Sequence, residues 1–168
     1  MTQVANSFQK STSARLAAVQ AVYQMRLNDQ DAKSVVDEYR KYRLGQNLAE
    51  TAEDYADGYE AVLPDGKVFS DIVIGVHANK KDLQEFISNA LNNNKNDGGE
   101  VKVRLEPDML INAILLCGAC ELLTRHDVDG PVIIADYLHV TDAFYDGSEK
   151  KLVNAVLDRL YKNLRDTA

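Results

Sequence analysis

The sequence predicts an all-α protein of about seven helices. Three observations carry that prediction. Apolar residues recur at three- and four-residue steps along most of the chain. Strand signals are scarce, and Val101-Lys102-Val103 is the one short alternation. The breaks between periodic stretches are short clusters of Gly, Pro and Asn, and there is no internal repeat. Such a pattern folds as a helical bundle. We expect a single domain over residues 1–168 made of two packed helical subdomains, about 8–93 and 105–166, divided at the Asn/Gly-rich stretch 92–99.

The first helix is expected over about residues 11–28, with Leu16, Val19, Val22, Tyr23 and Leu27 on one apolar face. Ser11, Thr12 or Ser13 is suited to cap it, because a hydroxyl accepts from the free N–H groups of a first turn. A second helix, about 31–43, ends near Gly45, a residue type common just past helix ends. Residues 46–66 are acidic and read as a surface excursion with a helical piece around 48–59. Asp65 then caps a third helix carrying Val68, Phe69, Ile72, Val73 and Val76. A fourth carries Leu83, Phe86, Ile87, Ala90 and Leu91. The fifth opens at Glu106-Pro107 and runs to about Thr124; it is apolar on nearly all sides, as a central buried helix must be. Gly130-Pro131 breaks the chain before a sixth helix over 132–143. Ser148 caps the last helix, whose stripe of Leu152, Val153, Val156, Leu157, Leu160, Tyr161 and Leu164 is the cleanest in the chain.

Hydrophobic residues make up 45% and charged residues 27%, an ordinary globular balance. No stretch is long and apolar enough to span a bilayer, and the first residues lack the basic-then-apolar pattern of a secretory signal. A cytoplasmic protein without a membrane association is the expectation. The formal net charge of −7 argues against bulk electrostatic binding of nucleic acid. The charge is unevenly spread, however. Residues 1–43 carry +3, residues 44–66 carry −6 with no Lys or Arg, and residues 148–165 carry +3. Both ends are basic and the middle is acidic, although cations also collect at helix C-termini for dipole reasons alone.

Chemistry-bearing motifs are few. Cys117-Gly118-Ala119-Cys120 has redox spacing, but a redox pair sits at a helix N-terminus, and this one falls inside an apolar helix. A zinc site needs two more soft ligands, and His77, His126 and His139 are far apart in sequence. Buried core cysteines are expected, with no metal and no cofactor. No phosphate loop, zincin motif or nucleophile elbow is present, so no catalysis is expected. Tyr39-Arg40-Lys41-Tyr42-Arg43 interleaves bases with aromatics, the composition used on single-stranded nucleic acid.

Several stretches, in order, resemble one known family. Arg15-Leu16-Ala17-Ala18-Val19-Gln20-Ala21-Val22-Tyr23-Gln24 looks like the opening helix of the NusB transcription antitermination family. Phe69 to Val76, Ala113 to Leu123 with Asp127-Val128, Val132-Ile133-Ile134, and Val153 to Asp158 resemble its later helices. The resemblance covers most of residues 14–165 except 44–66 and 92–104. It implies a two-subdomain helical fold and a non-enzymatic factor that binds boxA-type RNA together with the ribosomal protein NusE. It also implies membership of the RNA polymerase elongation complex, where such factors promote ribosomal RNA transcription.

The same resemblance places RNA against the first and last helices. Lys10 and Arg15 supply cations for phosphates. Gln20 can read a base edge, and Tyr23, one turn on, can stack on an unpaired base or be half-buried core. Lys150, Lys151 and Asn154 sit in the first turns of the last helix, where cations and free N–H groups suit a phosphate. Asn154 is otherwise a buried amide that fixes helix packing. The family's arginine run falls at Ser11-Thr12-Ser13 and its RNA-stacking aromatic at Leu152. A second reading is therefore a helical protein-binding adaptor with little RNA affinity.

Overall fold

The computed structural model describes residues 2–42, 64–93 and 108–165. Among these it contains seven helices and no strand: α1 (Thr2–Asn28), α2 (Ala32–Tyr42), α3 (Gly66–Ala78), α4 (Lys80–Asn93), α5 (Met109–Thr124), α6 (Gly130–Asp142) and α7 (Glu149–Arg165). The all-α expectation holds. The Val101–Val103 alternation, the helical piece at 48–59 and the Gly45 cap lie outside the described residues.

The chain forms two compact units, 1–74 and 75–168. Their boundary falls inside α3 rather than at the Asn/Gly stretch. α4 consequently groups with the C-terminal helices, because its apolar face packs on α5 and α7.

In the first unit, α1 begins well before the hydroxyl trio expected to cap it. Residues 2–28 contain neither Gly nor Pro, so nothing in the sequence interrupts the helix at 11–13. Its buried face is Ala14, Ala18, Val19, Ala21, Val22 and Met25. Of the expected apolar face, Val19 and Val22 are core, whereas Leu16 and Tyr23 are half-buried and Leu27 is 57% exposed. α1 ends in a Schellman turn, with Asp29 at φ 50° and the Gln30 N–H donating to the Met25 carbonyl at 3.1 Å. Asp31 caps α2 by accepting from the Ser34 N–H at 3.2 Å. α2 buries Ala32, Val35, Val36 and Tyr39. The Tyr39 ring stacks on Phe69 of α3 at 5.2 Å between centroids, and its hydroxyl donates to Gln24 Oε1 at 3.4 Å. Asp65 caps α3 as expected, accepting from the Val68 N–H at 3.1 Å.

In the second unit, α5 and α7 each pack against the other three complete helices, α4 included. α5 starts at Met109 with Asp108 as its cap, whose carboxylate accepts from the Ile111 N–H at 2.8 Å; the expected opening at Glu106-Pro107 lies outside the described residues. The Tyr145 hydroxyl donates to the same carboxylate. Every residue from Ala113 to Leu122 is buried, as the all-round apolar pattern required. α6 begins at Gly130, with Pro131 inside its first turn, where a missing N–H costs nothing. Gly130 is there for space: a Cβ would lie 2.2 Å from the Tyr161 ring of α7. The Ser148 carbonyl opens α7 by accepting from the Lys151 and Leu152 N–H groups. Arg165 closes the unit. Its guanidinium donates to the carbonyls of Val128 (2.7 Å), Arg125 (2.7 Å), Leu122 (3.0 Å) and Glu121 (3.3 Å), at the end of α5 and in the turn that follows it.

Candidate nucleic-acid interface

On α1, Lys10 and Gln20 are exposed and Tyr23 is half-buried. Leu16, Gln20, Tyr23 and Leu27 follow one another at three- and four-residue steps, so they share the face of α1 opposite its alanine core. That face offers an amide, a phenol and an apolar edge to solvent. Arg15 differs. It lies within the buried arc, 3% exposed, and already has an interaction inside the protein. A guanidinium so enclosed meets a phosphate only if the chain around it moves.

On α7, Lys150, Lys151 and Asn154 are all exposed. Exposure removes the reading of Asn154 as a buried packing amide. Lys151 and Asn154, three residues apart, share one side of the helix. Lys150 is held by Asp142 at 2.8 Å. The other cations of this basic stretch are also engaged: Lys162 with Asp158 at 3.1 Å, Arg159 with the Ala90 carbonyl at 3.1 Å, and Arg165 with its four carbonyls. Of the five bases counted in residues 148–165, Lys151 alone has no partner among the described residues. The +3 of this stretch therefore overstates what it offers a ligand. The Lys162–Asp158 pair has a readable i,i+4 spacing, whereas Asp142 lies on the preceding helix and the backbone carbonyls carry no sequence signal.

Lys10, Gln20 and Tyr23 are thus brought to one helix of the first unit. Lys150, Lys151 and Asn154 are brought to one helix end of the second.

The cysteines are core. Both are buried, and Cys120 Sγ lies 2.7 Å from where a Cβ on Gly75 would sit. Burial pushes the Cys117 thiol well above its usual range and the Cys120 thiol up to about 11. Neither offers a thiolate at neutral pH. No group of three or more metal-ligating side chains is present among the described residues. The buried polar side chains serve structure instead. Glu121, 1% exposed, accepts from the Tyr137 hydroxyl and faces Arg125 at 3.4 Å. Among the described residues, no helix is long and apolar enough to cross a membrane.

The fold is all-helical, and α1 and α7 each present an exposed polar face. The NusB family model matches residues 12–162. Transcription antitermination protein NusB of Sinorhizobium medicae is 39% identical over 153 residues, covering 91% of this chain and 86% of that protein. Its namesake in Rhizobium rhizogenes is 40% identical over 156 residues, covering 93% and 88%. In structure the chain is similar to T. maritima NusB, with a TM-score of 0.62 over 90% of each chain at 19% identity. The chain belongs to the NusB family.

Proposed function

We propose that this chain is a cytoplasmic transcription antitermination factor that works by binding, without catalysis. It binds boxA-type RNA together with a NusE-like ribosomal protein, joins the RNA polymerase elongation complex and promotes ribosomal RNA transcription. The family match over residues 12–162, to relatives named as antitermination proteins, carries this reading. The exposure of Lys10, Gln20, Lys151 and Asn154 supports RNA contact at both helices. Tyr23 adds a half-exposed ring, and Lys150 adds charge once it releases Asp142.

Specific observations favour a second reading, a protein-binding adaptor with little RNA affinity: Arg15 is enclosed, and Lys150 is paired. The two separate on one measurement, the affinity for a boxA oligoribonucleotide with and without the NusE-like partner across a salt series. Phosphate contacts give a log–log salt slope of about −0.7 for each contact on single strands. Replacing Lys10 and Lys151 together by Ala is expected to flatten that slope by about 1.4. No measurable RNA affinity with the partner present leaves the adaptor reading.

A further inference from the structure

The sequence contains five Asp-Gly pairs, at 57–58, 65–66, 97–98, 129–130 and 146–147. Such a pair can rearrange without an enzyme, because glycine has no Cβ to keep its amide nitrogen away from the preceding carboxyl. Three of the pairs, 65–66, 129–130 and 146–147, lie within the described residues, and the structure holds them differently. Asp65 stands ahead of α3. Its carbonyl accepts from the Phe69 N–H at 3.0 Å, and its carboxylate accepts from the Lys67 and Val68 N–H groups at 3.0 and 3.1 Å. Asp129 stands ahead of α6. Its carbonyl accepts from the Val132 and Ile133 N–H groups at 3.1 and 3.2 Å, and Gly130 is buried against the Tyr161 ring. Asp146 and Gly147 lie in the connection between α6 and α7, and both are exposed. Among the described residues neither makes a hydrogen bond or an ion pair. A Cβ on Gly147 would meet only the end of the Glu149 side chain, at 3.2 Å.

These differences bear on one ring closure. For the glycine nitrogen to reach the aspartate Cγ, the peptide plane joining the two residues has to turn, and that plane carries the aspartate carbonyl. At 65–66 and 129–130 the carbonyl is tied to the first turn of a helix, so turning it undoes the start of α3 or α6. At 146–147 the turn breaks no hydrogen bond. We propose that Asp146-Gly147 is a site of spontaneous isomerisation, and that of these three pairs it alone reacts in the folded protein. The Gly147 nitrogen bonds to the Asp146 Cγ and gives up its proton, the Cγ–OH bond breaks, and one water leaves. The product is a cyclic succinimide. Water then reopens the ring: attack at Cγ restores aspartate, and attack at the main-chain carbonyl breaks that carbon's bond to nitrogen and yields isoaspartate. No electrons are exchanged, and the water lost is regained. The isoaspartyl link runs the backbone through Cγ, which lengthens it by one carbon and leaves a free α-carboxylate on the loop. The insertion falls directly ahead of Ser148, whose carbonyl accepts from the Lys151 and Leu152 N–H groups. The first turn of α7 therefore loosens as the protein ages. None of this depends on whether the chain binds RNA.

The test holds the full chain folded at mildly acid pH for several weeks, beside a second sample in guanidinium chloride. Both are digested, and electron-transfer fragmentation locates isoaspartate within each peptide, including the tryptic peptide 126–150, which holds two of the pairs. Asp146 is expected to isomerise in both samples, and Asp65 and Asp129 only in guanidinium chloride. Gly147→Ala is expected to abolish the reaction at 146, because its methyl crowds the attacking nitrogen. Asp146→Glu is expected to abolish it too, because the longer side chain keeps the carboxylate but has to close a larger ring. Both positions are exposed, so unchanged far-UV circular dichroism shows the variants folded. In the isomerised fraction, amide hydrogen exchange at Lys151 and Leu152 should quicken. The proposal is overturned if the folded sample gains no isoaspartate at 146, or if Asp65 or Asp129 reacts there as fast as Asp146. Unchanged exchange at Lys151 and Leu152 overturns the loosening of α7.

Discussion

Arg165 is the sharpest test of how the second unit is held together. Its guanidinium satisfies four carbonyls around the end of α5, two of them at 2.7 Å. A charged hydrogen bond contributes about 1.5 kcal/mol or more net of water. Arg165 is half-buried, so water can replace part of what is lost, and the longer bonds to Leu122 and Glu121 are best counted as zero. The two short bonds then give about 3 kcal/mol for Arg165→Ala. Arg165→Lys keeps a cation near the negative end of the α5 dipole, but an ammonium lacks the planar fork that reaches Val128 and Arg125 together. It should recover about half the loss. The assay is urea unfolding followed by far-UV circular dichroism, with the three proteins compared at one pH and salt. The reasoning is refuted if Arg165→Ala stays within about 0.5 kcal/mol of the parent, the range of an ordinary surface substitution. It is refuted equally if Lys restores full stability, because charge alone would then suffice.

Further expectations concern the same unit. Gly130→Ala puts a methyl 2.2 Å from the Tyr161 ring and should cost about 2 kcal/mol; in a Tyr161→Ala background most of that cost should vanish, and additive losses in the double variant would contradict it. Tyr137→Phe leaves the buried Glu121 carboxylate without its hydroxyl donor and should cost about 1–3 kcal/mol in urea unfolding. The cysteines set a pH dependence. Cys117 is raised well above the ordinary thiol range and Cys120 to about 11, whereas unfolded thiols ionise near about 8.5. Above that pH the folded state holds protons the unfolded state releases, so the contribution is complete below it and is lost as pH rises toward 11. Urea midpoints measured between about pH 8 and 10.5 should fall, and fall less steeply when both cysteines are Ala; equal slopes would count against it.

The sequence made some elements legible and hid others for physical reasons. α5 was legible because ten consecutive buried positions leave no polar face to interrupt the apolar run. α7 was legible from its stripe, and Asp65 from its place ahead of one. The α1 core is legible at Val19 and Val22 and not at Ala14, Ala18 and Ala21, because alanines count little on any hydrophobic pattern, while Leu16, Tyr23 and Leu27 extend the apolar pattern onto a face that is open to solvent. The carboxylate of Asp108 caps α5, a role that its residue type permits but that the apolar pattern does not single out. For the candidate interface, residue type and helix face were readable, so Lys10, Gln20, Lys151 and Asn154 are exposed as binding would need. Availability was not readable. Arg15 has the spacing of any helix arginine, yet it is 3% exposed. Lys150 looked as open as Lys151 until the end of α6 placed Asp142 against it.

The burial of α5 also has a consequence for how the chain is made. This helix is covered on all sides, yet two of its covers, α6 and α7, leave the ribosome after it. Throughout the synthesis of α6 and α7, a helix with almost no polar face stands partly bare. A nascent chain in that condition attracts chaperones and proteases. The arrival of Arg165, which ties α7 to the end of α5, marks the moment at which the unit becomes complete. A chain cut short just before Arg165 would therefore hold most of this unit's residues and have little lifetime.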